Sequence, residues 1–392
     1  ANIYLLSGNA VGSAWFDNVS VKEVLFDQAG GTLQLWNHSN NEPRIEYDAT
    51  GAVKGLLIEE ARTNLVKYSN DFTNGLWSKQ SVTLTGGGVS PSGLTDATVI
   101  TASALSVQHR IYQNLATISS YSKSIYAKSG TANFISINGG TASVGYAVFN
   151  LSTGVVSSQA NIVQATMEDV GNGWYRCSIH GTVATTFLIV NMGTTDANAV
   201  PQVDWLGAGE TVQLYGAQVE AGAFPTSYIP TTGSTATRAA DFAQIPTSAF
   251  GYNNDKGSLV IDVLTPVADQ FIALAHFNTS SYLNSRALLK GNPALNASGD
   301  YFVFNSYDGA VTKFTIDQQT QAEYTKLGLS YGDNEKAVRD GGTVLSGTSR
   351  YPNPTRLFLG GRDNGLQSQC WIKSIKYYPR RLSNAQLQEL TT

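Results

Sequence analysis

The chain has 392 residues, enough for two or three domains with cores of their own. Charged residues make up 14%, well under the roughly 25% of ordinary soluble domains, and Gly, Ser, Thr and Asn supply the polarity instead. A net charge of −4 speaks against duplex nucleic acid as a partner, and apolar runs such as "FLIV" at 187–190 are too short to span a membrane.

The first recognisable element is "WFDNVSVKEV", where Val19 and Val21 alternate with Ser20 and Lys22 as in a half-buried strand. There is no initiator Met and no signal-peptide pattern. Residues 1–25 therefore read as the C-terminal remnant of a preceding jelly-roll domain. Residues 26–66 read as an extended connecting segment with strands. From 67 to 224, turn clusters such as "TGGGVSPSG", "INGGTASVG" and "EDVGNGW" separate short alternating runs, the pattern of a sandwich rather than of βαβ units. Its last run, "TVQLYGAQVEAG" at 211–222, repeats the logic of the opening strand, with Glu220 in the place of Glu23.

Residues 225–241, "PTSYIPTTGSTATRAAD", hold few large apolar side chains and read as an extended, accessible linker. A second alternating domain fills 242–392. It closes on the one persuasive helix, "RLSNAQLQEL", with Ser383 and Gln386 as a capping box and Leu382 with Leu387 as a hydrophobic staple. The fold class is all-β: tandem β-sandwiches with a short C-terminal helix.

Three segments resemble bacteriophage tail and tail-fibre proteins: "PRIEYDATGAVKGLLIEEARTNLVKYSNDF", "GAQVEAGAFPTSYIPTTGSTATRAAD" and "KSIKYYPRRLSNAQLQELT". They frame nearly the whole chain. The resemblance implies a carbohydrate-binding-module-like jelly roll at 67–224, then a concanavalin A-like (laminin G-like) sandwich. It also implies recognition of host cell-surface glycans by a virion that acts outside the cell, in contact with other tail proteins. Fibres of this kind are commonly homotrimers, so a homo-oligomer is expected.

No nucleophile elbow, Walker loop, HExxH or CxxC pair occurs, and the expectation is a non-catalytic protein. Two stretches carry residues of enzymatic type. In "SVQHRIYQ", His109, Arg110 and Tyr112 could serve a polysaccharide lyase as base, carboxylate neutraliser and proton donor, although alternation puts His109 opposite Arg110. The neighbours Glu59 and Glu60 suggest a glycosidase pair, but consecutive strand residues face opposite ways. The plainer expectation is that one of them caps Arg62 or Lys54. A purely structural spacer is the other alternative.

Glycan contacts are expected from loop-borne aromatics and neutral polar groups. Trp77 and Trp205, flanked by loop residues, are the stacking candidates of the first sandwich. Tyr307, Arg362, Asp363 and Asn364, in the apparent turns "SYDG" and "GRDNG", are those of the second. Trp174 and Trp371 are expected to point into cores, and Trp36 could pack between domains. Cys177 and Cys370 are expected to be buried free thiols. The Asn- and Asp-rich turns "YSNDF", "YNND", "GDNE" and "GRDNG" could hold a structural calcium. Asp17 fits the closing-strand position that such jelly rolls use for one, whereas "LYGAQV" has no Asp there.

Overall fold

The computed structural model describes residues 43–48, 50–140, 145–265, 272–278, 284–290, 301–308, 311–318, 324–361 and 369–392. They form four large antiparallel sheets, stacked in two pairs, together with two small ribbons. The chain thus folds as expected into tandem all-β sandwiches with a short C-terminal helix.

In the first sandwich one six-stranded sheet runs Val155–Ala160, Tyr146–Asn150, Phe134–Asn138, Thr185–Gly193, Arg110–Ile118, Ser78–Gln80. The other runs Gln164–Asp169, Trp174–Gly181, Tyr121–Ser129, Thr211–Ala221, Ala97–Ala102, Val82–Gly88. Alternation sends Ile111, Ile125, Ile135, Phe149, Leu188 and Leu214 into one shared core. Cys177 lies in that core as a free thiol.

The second sandwich pairs a seven-stranded sheet with a six-stranded one. The seven-stranded sheet runs Ile45–Tyr47, Val53–Ile58, Cys370–Tyr378, Gly257–Leu264, Tyr324–Tyr331, Asn334–Arg339, Leu345–Thr348. Leu259, Ile261, Phe277, Phe304 and Leu327 fill its core, and Cys370 is the second buried free thiol. The helix Asn384–Thr391 carries the expected capping box, and its Leu387 packs with Leu382 and Val338 over the outer face of the seven-stranded sheet.

Two boundary expectations are corrected. Strand Val53–Ile58 does not merely connect: Leu56, Leu57 and Ile58 pair with Ile372, Trp371 and Cys370. The second sandwich therefore takes strands from both sides of the first. Nor is the 225–241 segment accessible throughout: its first half is packed, while Thr232, Gly233, Ser234 and Thr235 are exposed as expected. Thr226, Tyr228, Ile229 and Thr231 are buried, the Tyr228 hydroxyl bonds Ser69 Oγ (2.6 Å) and Asn70 Oδ1 (2.8 Å), and Ala236–Arg238 pairs with Arg62–Asn64. Thr226, Tyr228, Ile229 and Thr231 together hold its first half down. The remnant expected at 1–25, with Asp17, and the residue Trp36 lie outside the described residues.

Candidate functional site

The strand Arg110–Ile118 turns Ile111 into the first core and leaves Arg110 and Tyr112 on the outer face of its sheet. Cross-strand register then lines up a polar row: Gln80 pairs with Arg110, Arg110 with Asn191, and Asn191 with Ser136. A second row beside it runs Ser78, Tyr112, Ile189. Neither row is visible in the linear sequence, because the members of the first come from four strands and those of the second from three.

The polar row is partly tied together. Arg110 Nε donates to Gln80 Oε1 (2.7 Å), and the guanidinium carbon lies 5.9 Å from the Tyr112 ring centre. Asn191 Nδ2 donates to Ser136 Oγ (3.0 Å) and Asn138 Oδ1 (2.8 Å), while Ser136 Oγ donates to the Ala199 carbonyl (2.6 Å). Two buried atoms of the row have no hydrogen-bond partner: Nη1 of Arg110, a donor, and Oδ1 of Asn191, an acceptor. Buried polar groups are normally satisfied, and one left unmet costs about 1–3 kcal/mol. Burial lowers the Arg110 pKa and Tyr112 opposes it; among the described residues no carboxylate forms an ion pair with Arg110. Arg110 and Tyr112 are themselves half-buried, so the row meets solvent at its Arg110 end.

His109 takes the opposite side of this chain segment. It is buried, with Nδ1 2.7 Å from the Ser81 carbonyl oxygen and Nε2 3.2 Å from that of Trp205. The structure thus keeps Arg110 and Tyr112 together and removes His109 from them, which breaks the lyase triad. Glu59 and Glu60 separate in the same way. Glu59 is buried between Arg44 and Arg238, each at 2.6 Å, and Glu60 pairs with Arg62.

Trp77 and Trp205 are corrected as stacking candidates. Trp77 is 1% exposed, packs on Phe72 and donates its indole N–H to the Tyr68 carbonyl. Trp205 is 8% exposed, lies edge-on to His109 and donates to the Met192 carbonyl. Each sits beside a loop but finds a backbone acceptor inside, which lets an indole be buried at little cost. Trp174 is in a core, as expected.

Trp371 is not inward. Cys370 and Ile372 occupy the second core, so Trp371 faces out. It is half-buried under the Lys54 ammonium (4.5 Å) and donates to Glu46. Tyr307 belongs to the strand Tyr301–Asp308, paired with Ser285 and Val311, rather than to a turn. Arg362, Asp363 and Asn364 lie outside the described residues.

In "YSNDF" two side-chain oxygens already accept hydrogen bonds. Asn70 Oδ1 accepts from Gly216 N–H and the Tyr228 hydroxyl, and Asp71 Oδ1 accepts twice from Thr73. Among the described residues no group of three or more His, Cys, Asp or Glu comes together as metal ligands, and no helix is long and apolar enough to cross a membrane.

No family model and no curated protein sequence matches the chain. Among solved structures it is similar to a carbohydrate-binding module, CBM40, of the Ruminococcus gnavus IT-sialidase. The two share 12% identity at a TM-score of 0.31, over 39% of this chain and 97% of that one. It is similar to domains LG4-5 of the mouse laminin alpha1 chain at 9% identity and a TM-score of 0.25, over 71% and 89%. A Trypanosoma rangeli sialidase aligns at 11% identity and a TM-score of 0.29, over 75% and 60%. At these scores the likenesses say nothing of what this chain binds.

Proposed function

We propose that the chain is a non-catalytic tail-fibre component of a bacteriophage that recognises glycans on the host cell surface, acting on the virion and outside the cell. The observation that carries this reading is the outer face of the first sandwich. Its accessible part, the half-buried Ser78, Gln80, Arg110 and Tyr112, sets polar groups beside an aromatic ring. Sugars offer the complement, with hydroxyls for the polar row and an apolar C–H face for the Tyr112 ring. The tail-fibre part of the reading is supported by the segments quoted from the sequence.

Tyr307, Arg362, Asp363 and Asn364 stay in the proposal as contacts of the second sandwich. The protein assembles as a homo-oligomer, a trimer in the particle, alongside other tail proteins. Copies held together turn weak single-site affinities into tight adhesion.

A glycan array probed with the intact chain tests the reading. Binding to host surface polysaccharide should fall about fivefold to a hundredfold in Tyr112→Ala. Loss of one stacking aromatic is worth about 1–3 kcal/mol, by analogy with base stacking. An array on which the folded wild-type chain binds nothing would favour the structural spacer. Release of oligosaccharides from the same polysaccharides would instead make the protein an enzyme.

A further inference from the structure

We infer that the glycan site of the first sandwich runs on past Tyr112 and takes two consecutive sugars of a chain, the second stacked on Phe187 beside the Asn114 amide. The inference rests on reading this face as a glycan site, and deepens it to an internal stretch of a polysaccharide held through uncharged groups.

Phe187 lies on the strand Thr185–Gly193, whose Leu188, Val190 and Met192 are in the first core. Alternation therefore turns Phe187 to the outer face, which is also the face of Tyr112. In the register Ile189 stands opposite Tyr112, and Phe187 opposite Asn114. Tyr112 and Phe187 are thus diagonal neighbours on adjacent strands, about 7–8 Å apart at the backbone. Two rings so placed can each carry one of two adjoining sugars.

The groups a chain would touch are open to it. Tyr112 and Phe187 are half-buried and Asn114 is exposed, whereas Ile189, at 4% exposure, takes no part. Phe187 is not among the side chains packed into the first core. Each ring also has a neutral polar partner across the strands, Ser78 opposite Tyr112 and Asn114 opposite Phe187. No charged residue occurs in 111–118 or 185–193. A sugar has the matching make-up, an apolar C–H face and a rim of hydroxyls. Covered instead by an apolar protein surface, Ser78 and Asn114 would give up water for nothing, at the cost of an unmet hydrogen bond each.

The test uses the intact chain on immobilised dextran, galactomannan and xylan and on the host's own polysaccharide, with fragments of graded length cut from each. For at least one of them, affinity should rise from the single sugar to fragments of two or more. Phe187→Ala and Phe187→Leu should each weaken binding of the longer fragments about fivefold to a hundredfold, the worth of one stacking aromatic. Binding of the single sugar, which Tyr112 still carries, should change little. Phe187→Tyr should keep the gain with length and Asn114→Ala should lose part of it. That gain should be the same in low and high salt, because no charge takes part in it. Thermal melts matching wild type show which variants keep the fold, and Phe187→Leu, which retains the apolar bulk, stands in if Phe187→Ala does not.

Equal affinity for single sugars and longer fragments, an unchanged gain in folded Phe187→Leu, or a gain that disappears in high salt would overturn the inference and leave the glycan reading at Tyr112 standing. Failure of the wild-type chain to bind any polysaccharide would overturn both.

Discussion

At Lys123 an ammonium group sits inside the first sandwich, where its Nζ donates to the carbonyls of Asn138 (2.8 Å) and Gly139 (2.7 Å) and to Thr185 Oγ1 (3.1 Å). None of these is a counter-ion, and burial pushes its pKa down to about 7. The unfolded lysine titrates near 10.4. Between those values the unfolded state binds more protons, so stability should rise with pH there, by up to about 1.4 kcal/mol per unit from this group. Below about pH 7 the penalty is fully present and flat. Urea melts of wild type and Lys123→Met at pH 6 and pH 9 check this. The wild type should gain stability at the higher pH and the variant should gain distinctly less; equal gains would show that Lys123 is not the cause. The two thiols give a second expectation at this scale. Cys177 and Cys370 are fully buried, and burial pushes Cys370 up to about 12 and Cys177 upward as well. A thiol-specific reagent at pH 8 should leave both unmodified in the native protein and modify both in denaturant. Fast native labelling would contradict the packing.

Among the elements, the C-terminal helix was the most legible, because its signals are local. Ser383 Oγ accepts from the Gln386 backbone N–H, and Gln386 Oε1 accepts from that of Ser383. Ser383→Ala should cost about 1 kcal/mol, read as a lower thermal midpoint with the strand signal unchanged. Strands are less forthcoming. Alternation in "CWIKSIKYY" is plain, yet which side is the core depends on the neighbouring sheet, and it is Cys370 and Ile372 that face it, not Trp371. The closing strand Thr211–Ala221 also hides an irregularity between Tyr215 and Gln218. Gly216 takes φ +60 there, and a Cβ would meet the Tyr126 ring at 2.9 Å. Gly216→Ala should therefore destabilise the first sandwich by more than about 1 kcal/mol through left-handed backbone and crowding together. Denaturant midpoints measure it.

Across the whole molecule, Glu59 gathers parts of the chain that are far apart in sequence. It meets Arg44 and Arg238 and accepts from the Ser227 N–H (2.8 Å), while Asp241 accepts from Arg44 (2.7 Å) and from the Glu59 backbone N–H (2.9 Å). Burial works to raise the Glu59 pKa, but the Arg238 and Arg44 guanidiniums outweigh it and hold the carboxyl below its usual range. Its contribution is thus present above the ordinary carboxylate pKa and is lost as pH falls through the lowered one. Removing one partner of such a buried set typically costs about 3–5 kcal/mol. Glu59→Gln should accordingly lose a few kcal/mol and open the 225–241 segment to protease. In wild type cleavage within 226–231 should come late, and early cleavage there would contradict the burial of Thr226, Tyr228, Ile229 and Thr231.

The sequence by itself determined the periodicity of the strands, the turn chemistry between them, the capped helix and the reduced state of two buried cysteines. Each of these is written in neighbours a few residues apart. Only the tertiary structure decided which strands pair and which face of a sheet lies against a core. That is why Val53–Ile58 joined a sandwich that begins two hundred residues later, and why two tryptophans beside loops turned inward to backbone carbonyls. The candidate site has the same origin. Arg110 and Tyr112 could be placed on one face from a single strand, but Gln80, Asn191 and Ser136 reach them only through cross-strand register. Register is set by the fit of whole sheets rather than by any local signal.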